Sequence, residues 1–212
     1  MALLLAVSTS IGVSTMVSSF RVTFVDFLNQ RLAPELFVEV ENVFQSQSLI
    51  KHLARTNREA LPLVFTTQQL AGETIDLLGI VVGPTYREHW TFLHSTNKVW
   101  DSIADGSAVM INEQLAQRSG LKVGDSVAVD LLGNKPIAAI IADYGNPNGQ
   151  IVAASQLIQS IDDTLYAKQF GIRTQHVDET KDELISAIGI APGQFIDQAS
   201  LKTTSMKVFD RT

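Results

Sequence analysis

The sequence predicts an α+β fold: a mixed sheet-and-helix domain with an inserted small β-rich module, preceded by a long N-terminal helix. Three observations carry this. Ala2 to Phe20 holds no charged residue. Residues 35–82 switch between alternating and helical hydrophobic periods. Residues 107–154 pack several short apolar runs between glycine-containing turns. Composition agrees with a folded chain: of 212 residues, 45% are hydrophobic and 18% charged.

The first element is the N-terminal helix. A charge-free stretch of this length spans roughly 28 Å as a helix, close to the ~30 Å hydrocarbon core of a bilayer. Seven hydroxyls (Ser8, Thr9, Ser10, Ser14, Thr15, Ser18, Ser19) and Gly12 suit contact between helices inside a membrane bundle. A secretory signal peptide would carry a basic segment, and none precedes Leu3; a buried helix in a soluble core is the other alternative. Phe20, Phe24, Phe27 and Leu28 then share one helical face while Arg21, Asp26 and Arg31 add charge. The helix is therefore expected to leave the membrane near Arg21 and continue as a stalk to Ala33, where Pro34 stops it.

The following residues read as β-α-β-β: a strand at 35–40, a helix at 43–55, and strands at 61–69 and 73–82 joined by a hairpin at Ala71-Gly72. Gly83-Pro84 breaks the sheet, and a loop-rich span holding His89, Trp90 and Trp100 is expected after it. Strands at 107–111, 125–131, 136–143 and 150–154 follow, with a short helix near 112–119, a turn at Gly133-Asn134 and a turn cluster at 145–149. The end is mixed again: a helix at 155–161, a strand at 168–174, a helix at 178–188, a strand at 193–197, and a last helix at 198–210 whose apolar members are Leu201, Met206, Val208 and Phe209.

Chemistry-bearing motifs are absent. His52, His89, His94 and His176 have no metal-ligand spacing. No GxSxG, SxxK, GxxxxGK[ST] or GxGxxG occurs, and Ser200 with Lys202 is a weak pair in the last helix. Asp162-Asp163 and Asp101 with Asp105 read as solvated helix caps rather than a carboxylate dyad. The absence of cysteine excludes disulfides and thiolate chemistry. With 22 acidic against 16 basic residues and no basic cluster, nucleic acid is not an expected partner. The expectation is a non-enzyme without catalytic, cofactor-binding or metal residues. Tyr86, Trp90 and Phe92 are the candidate partner contacts, with core packing as their alternative role.

Three segments carry a family resemblance: residues 3–40, residues 107–147 with SAVMINEQLAQRSGLKVGDSVAVD and IADYGNP, and residues 197–212, DQASLKTTSMKVFDRT. Together they resemble the extracytoplasmic domain of FtsX-like/MacB-like ABC transporter permeases of the long-permease branch. GLKVGD and DYGNP themselves read as turns, with Gly120 and Gly124 free to take positive φ and Asp125 bonding nearby N–H groups. The resemblance implies a stalk at 1–33, a porter-like subdomain at 34–95 and 155–212, and a sabre-like insert at 96–154. It also implies an inner-membrane location with the domain on the periplasmic side, no cofactor, and a separate ATP-binding subunit. The implied role is export of a lipid, lipoprotein or peptide, or mechanotransmission. The alternative role is a scaffold that recruits or activates a cell-wall hydrolase.

Overall fold

A computed structural model describes residues 2–130, 132–143 and 146–206, with side chains from residue 11 to 204. The chain begins with helix α1, Ala2–Arg31, whose residues 11–20 are all exposed. Ile11–Arg31 is long and apolar enough to cross a membrane, with a mean hydropathy of 1.3. Phe20, Phe24 and Phe27 stack in sequence along it, with ring centroids 6.2 Å apart in each step. Among the residues of α1 from 11 onward, Leu28 is the first to be buried, and Pro34 ends the run three residues beyond Arg31.

The body follows as β1 (Leu36–Glu39), α2 (Val43–Arg55), β2 (Ala60–Leu70) and β3 (Glu73–Ile80). Asn42 caps α2, its Oδ1 accepting from Gln45 N–H at 2.9 Å. Ala71 and Gly72 make the β2–β3 turn with φ of 52° and 88°, the left-handed conformation that two-residue hairpins require. The span expected to be loop-rich is instead organised by α3 (Pro84–His89), the short β4 (His94–Ser95) and α4 (Val99–Ala104). Pro84 occupies the first turn of α3, where it costs no hydrogen bond. Burial of Tyr86, Val99 and Ile103 holds these short helices in place.

Next come β5 (Val109–Asn112), α5 (Glu113–Ser119), β6 (Ser126–Val129), β7 (Gly133–Ile141) and β8 (Gln150–Ala154). The chain finishes with α6 (Ser155–Ile161), β9 (Gln169–Ile172), α7 (Val177–Ile188), β10 (Phe195–Asp197) and α8 (Gln198–Met206). Val208 and Phe209, expected in the last helix, lie outside the described residues, as does Gly145 of the turn cluster. The turn reading of GLKVGD holds: Gly120 and Gly124 have φ of 67° and 92°, and Asp125 Oδ2 accepts from Lys122 N–H at 2.8 Å.

The strands form one mixed sheet in the order β10-β1-β9-β2-β3-β8-β5-β7-β4, with β6 paired to β7. Its pairs are antiparallel except β3–β8 and β5–β7. Strands drawn from the flanking segments meet strands drawn from residues 96–154 in two pairs, the parallel β3–β8 and the short antiparallel β4–β7. Helices cover both faces. Leu49 and Leu53 of α2, Leu115 of α5, Ile158 of α6 and Leu184 of α7 fill one side. Tyr86, Trp90, Val99 and Ile103 fill the other. The first of these clusters takes Val64 and Leu77 together with Ile111 and Ile151, so it runs without a break across the β3–β8 seam.

Candidate functional site

On the second face, the β1-β9-β2 half of the sheet is met by the end of α1, and a cleft of about 280 Å³ lies between them. Leu61, Leu63 and Phe65 of β2 form its floor because residues two apart on a strand face the same way. Gly171 of β9 lies against Pro34; a Cβ there would come within 2.4 Å of the proline ring, so only glycine lets the end of α1 settle this closely. Tyr86 and Trp90 close one side. At the polar end stand Arg31, Asp143, Asn146 and Gln150.

Arg31 is the hinge of this site. Its guanidinium sits 4.7 Å from the centre of the Trp90 ring and 5.8 Å from that of Phe27. An ion pair with Asp143 spans 3.8 Å, and Asp143 is almost fully buried. Cation–π contacts of this kind contribute about 1–2 kcal/mol when partly desolvated. Beside it, the Gln30 amide donates to Thr91 Oγ1 at 2.5 Å, and Thr91 N–H donates back to Gln30 Oε1 at 3.3 Å. These contacts latch α1 to the segment that follows α3.

The start of α8 is tied to the same place. The Gln198 side-chain amide donates to the carbonyls of Leu32 and Ala33, and its backbone N–H donates to Glu35 O at 3.1 Å. The last carbonyls of a helix have no partner within it, so Gln198 supplies what the end of α1 lacks. Around this base, Glu35 Oε2 forms an ion pair with Arg173 Nε at 3.2 Å and accepts from Thr174 N–H at 3.0 Å. Arg173 Nη1 donates to His89 Nε2 at 3.0 Å, and Glu59 Oε2 accepts from Thr85 Oγ1 at 2.6 Å. The result is a polar girdle at one end of the sheet, directly under the two helices.

The candidate partner contacts fall on both sides of the boundary between core and surface. Tyr86 and Trp90 are buried edge to face, 5.2 Å apart, and Phe92 is half-buried 5.3 Å from Trp100. Burial pushes the Tyr86 hydroxyl far above the usual phenol range. Tyr86 and Trp90 are thus walls of the cleft from within, while Phe92 reaches toward solvent beside Lys98 and Asp101.

Solved structures with this arrangement exist. The periplasmic region of MacB from Actinobacillus actinomycetemcomitans superposes with a TM-score of 0.57 at 10% identity, covering 80% of this chain and 90% of that one. This chain has the fold of the MacB periplasmic region. The extracellular domain of the ABC-type transporter YknZ from Gram-positive bacteria matches with a TM-score of 0.51 at 12% identity, covering 77% and 98% of the two chains. No protein-family model matches the sequence, and no curated protein aligns with it significantly.

Within this MacB-type fold several titratable groups make structural contacts. Among the described residues, no cluster of three or more His, Cys, Asp or Glu side chains could hold a metal ion. His52 joins Glu183 at 2.6 Å, and Arg58 meets the other oxygen of Glu183 at 2.6 Å, pinning α2 to α7. His94 lies exposed in β4, and His176 precedes α7. Asp162 and Asp105 accept hydrogen bonds from Thr164 and Ser107, which hold both carboxyls below the usual range. Asp101 pairs with Arg87 at 3.1 Å on the surface.

Sequence reasoning missed Gln30, Arg31, Asp143, Gln150 and Gln198. Arg31 looked like an ordinary basic residue at a helix end, and the glutamines carry no local pattern. The one available signal was Pro34, which marks where α1 must hand over to the domain.

Proposed function

We propose that this chain is the extracytoplasmic domain of an ABC-type permease. It works with a separate ATP-binding subunit and carries movement between membrane and envelope through α1 and α8. The observation that carries the reading is the tie at the base: Gln198 joins the end of the exposed, apolar α1 to the start of α8. A movement of either helix is then delivered to the same point of the sheet, where the Arg31–Trp90 and Gln30–Thr91 contacts receive it. The shared fold with periplasmic and extracellular transporter domains supports the placement outside the inner membrane. In this reading 1–33 is the stalk, 34–95 with 155–212 is the porter-like part, and 96–154 is the sabre-like part. Strand pairs β3–β8 and β4–β7 join the last two. The cargo is a lipid, lipoprotein or peptide. The inward position of Tyr86 and Trp90 favours this role over a hydrolase-recruiting scaffold, which would need such aromatics facing out.

The chain contains no cysteine, so introduced thiols report cleanly. Asn134→Cys, at the exposed start of β7, is expected to react with a membrane-impermeant maleimide while the inner membrane is intact; reaction only after that membrane is broken overturns the placement. A disulfide locking α1 to α8 is expected to suppress export and ATP turnover by the assembled transporter until reductant is added. Normal turnover and export with the lock closed would end the mechanical role.

A further inference from the structure

The side of α2 turned away from the sheet is both apolar and basic. Val43 and Ile50 stand in one helical row, and Phe44, Lys51 and Arg55 in the row beside it. Phe44 is 76% exposed, Val43 50% and Ile50 42%. A groove of about 540 Å³ follows the second row, bounded on its other side by Ala187 and Ile188 of α7. His52 and Arg58 nearby are paired with Glu183, but Lys51 and Arg55 are exposed and meet no acid among the described residues. No acidic residue occurs in α2, although the chain has 22 acidic against 16 basic residues. Like charges four residues apart weaken an exposed helix, and an aromatic ring this open to water beside two other large apolar side chains marks an interaction surface.

We infer that the outer face of α2 is a docking site for an acidic amphipathic helix of a partner protein. Two acids of the partner, one turn apart, meet Lys51 and Arg55, which are themselves four residues apart. Its apolar side covers Phe44 and Ile50 and enters the groove at Ile188. From Phe44 to Arg55 the face is roughly 16 Å long, about three turns of helix. Charge decides between occupants. A second copy of this chain would have to offer α7, but of the four acids there Asp178 already pairs with Lys181, and Glu183 with His52 and Arg58. An anionic membrane surface is held by clusters of about four to eight Lys or Arg, more than the Lys51–Arg55 pair supplies. A helix needs only to match that pair and the aromatic anchor beside it. The face lies on the opposite side of the sheet from the cleft under α1, and it stands independently of any role in transport.

The test uses the full chain in lipid nanodiscs and fluorescence anisotropy. The probe is a fluorescein-labelled peptide of two heptads, with Leu at a and d, Glu at b and e, and Ala elsewhere. Two further peptides carry Gln or Lys in place of Glu. The Glu peptide is expected to bind saturably, and the Gln and Lys peptides at least about tenfold more weakly. Lys51→Glu combined with Arg55→Glu should reverse the preference, so that the Lys peptide binds better than the Glu peptide. Phe44→Ser should raise the Kd for the Glu peptide about tenfold while the melting temperature stays unchanged, because the ring is exposed. No saturable binding of the Glu peptide, equal binding of all three, or a charge-reversed variant that still prefers Glu would each overturn the inference. So would a dimer of the parent chain that the charge reversal dissolves, which would assign the face to a second copy. Capture of the nanodiscs by phosphatidylglycerol vesicles, lost on charge reversal, would assign it to lipid and overturn the inference equally.

Discussion

At the scale of single residues, charge is used here to pin elements together. Glu183 is the clearest case. His52 first, and Arg58 second, hold its carboxyl below the usual carboxylate range. A carboxylate whose pKa falls on folding stabilises the protein above its unfolded value, and that stability drains away as pH drops through the lower, folded value. Glu183→Gln should therefore lower the melting temperature by a few degrees at pH 7, for a loss of about 1 kcal/mol. The gap between variant and parent should narrow as pH falls through that lowered value, where the parent carboxylate is itself protonated. Thermal melts of both proteins across pH 3–8 check this; a constant gap would show that the ion pairs contribute nothing. Such pairings were not legible in the sequence. His52 and Glu183, like Arg31 and Asp143, lie far apart along the chain, and no spacing rule joins residues that meet only through the tertiary fold.

At the scale of elements, the reading from sequence and the structure agree wherever local signals are strong. The helix expected at 43–55 is α2, bounded by a capping Asn42, and the hairpin falls at Gly72, where positive φ is required. The helix at 155–161 is α6. The misses are α3 and α4, of six residues each. A helix of under two turns shows no periodicity and is unstable alone; what keeps these two is the aromatic and aliphatic packing of Tyr86, Trp90 and Ile103. The junction of α1 and α8 depends on one side chain. Gln198→Ala leaves the Leu32 and Ala33 carbonyls without that donor. Hydrogen exchange should accelerate in the last turn of α1, including the Leu32 amide that bonds Leu28 O at 2.8 Å, while the sheet amides keep their protection. Unchanged exchange at Leu32 would mean the tie is not structural.

At the scale of the molecule, the fold class read from the sequence is the one observed, a mixed sheet with helices and a long leading helix. Hydrophobic patterning revealed the strands, but not that the strands of 96–154 continue the sheet of the flanking segments, because strand order is set by long-range pairing. The continuous core across the β3–β8 seam has a thermodynamic consequence. Ile111, within residues 96–154, is fully buried and belongs to the cluster that also holds Leu49 and Leu184. Ile111→Ala should cost about 2–5 kcal/mol. Tryptophan fluorescence and far-UV circular dichroism should then shift together in a single transition. Two separated transitions would mean that the halves unfold on their own.

The contact between Gln198 and the end of α1 also bears on how such a protein can be recombined. The entry and exit points of residues 33–197 sit side by side, so the globule occupies no more span at its base than a short helical hairpin does. It is a cassette. Any helical pair whose tips approach as closely could accept it in place of its connecting loop, and could lose it again, with little change in the spacing of the host's own helices.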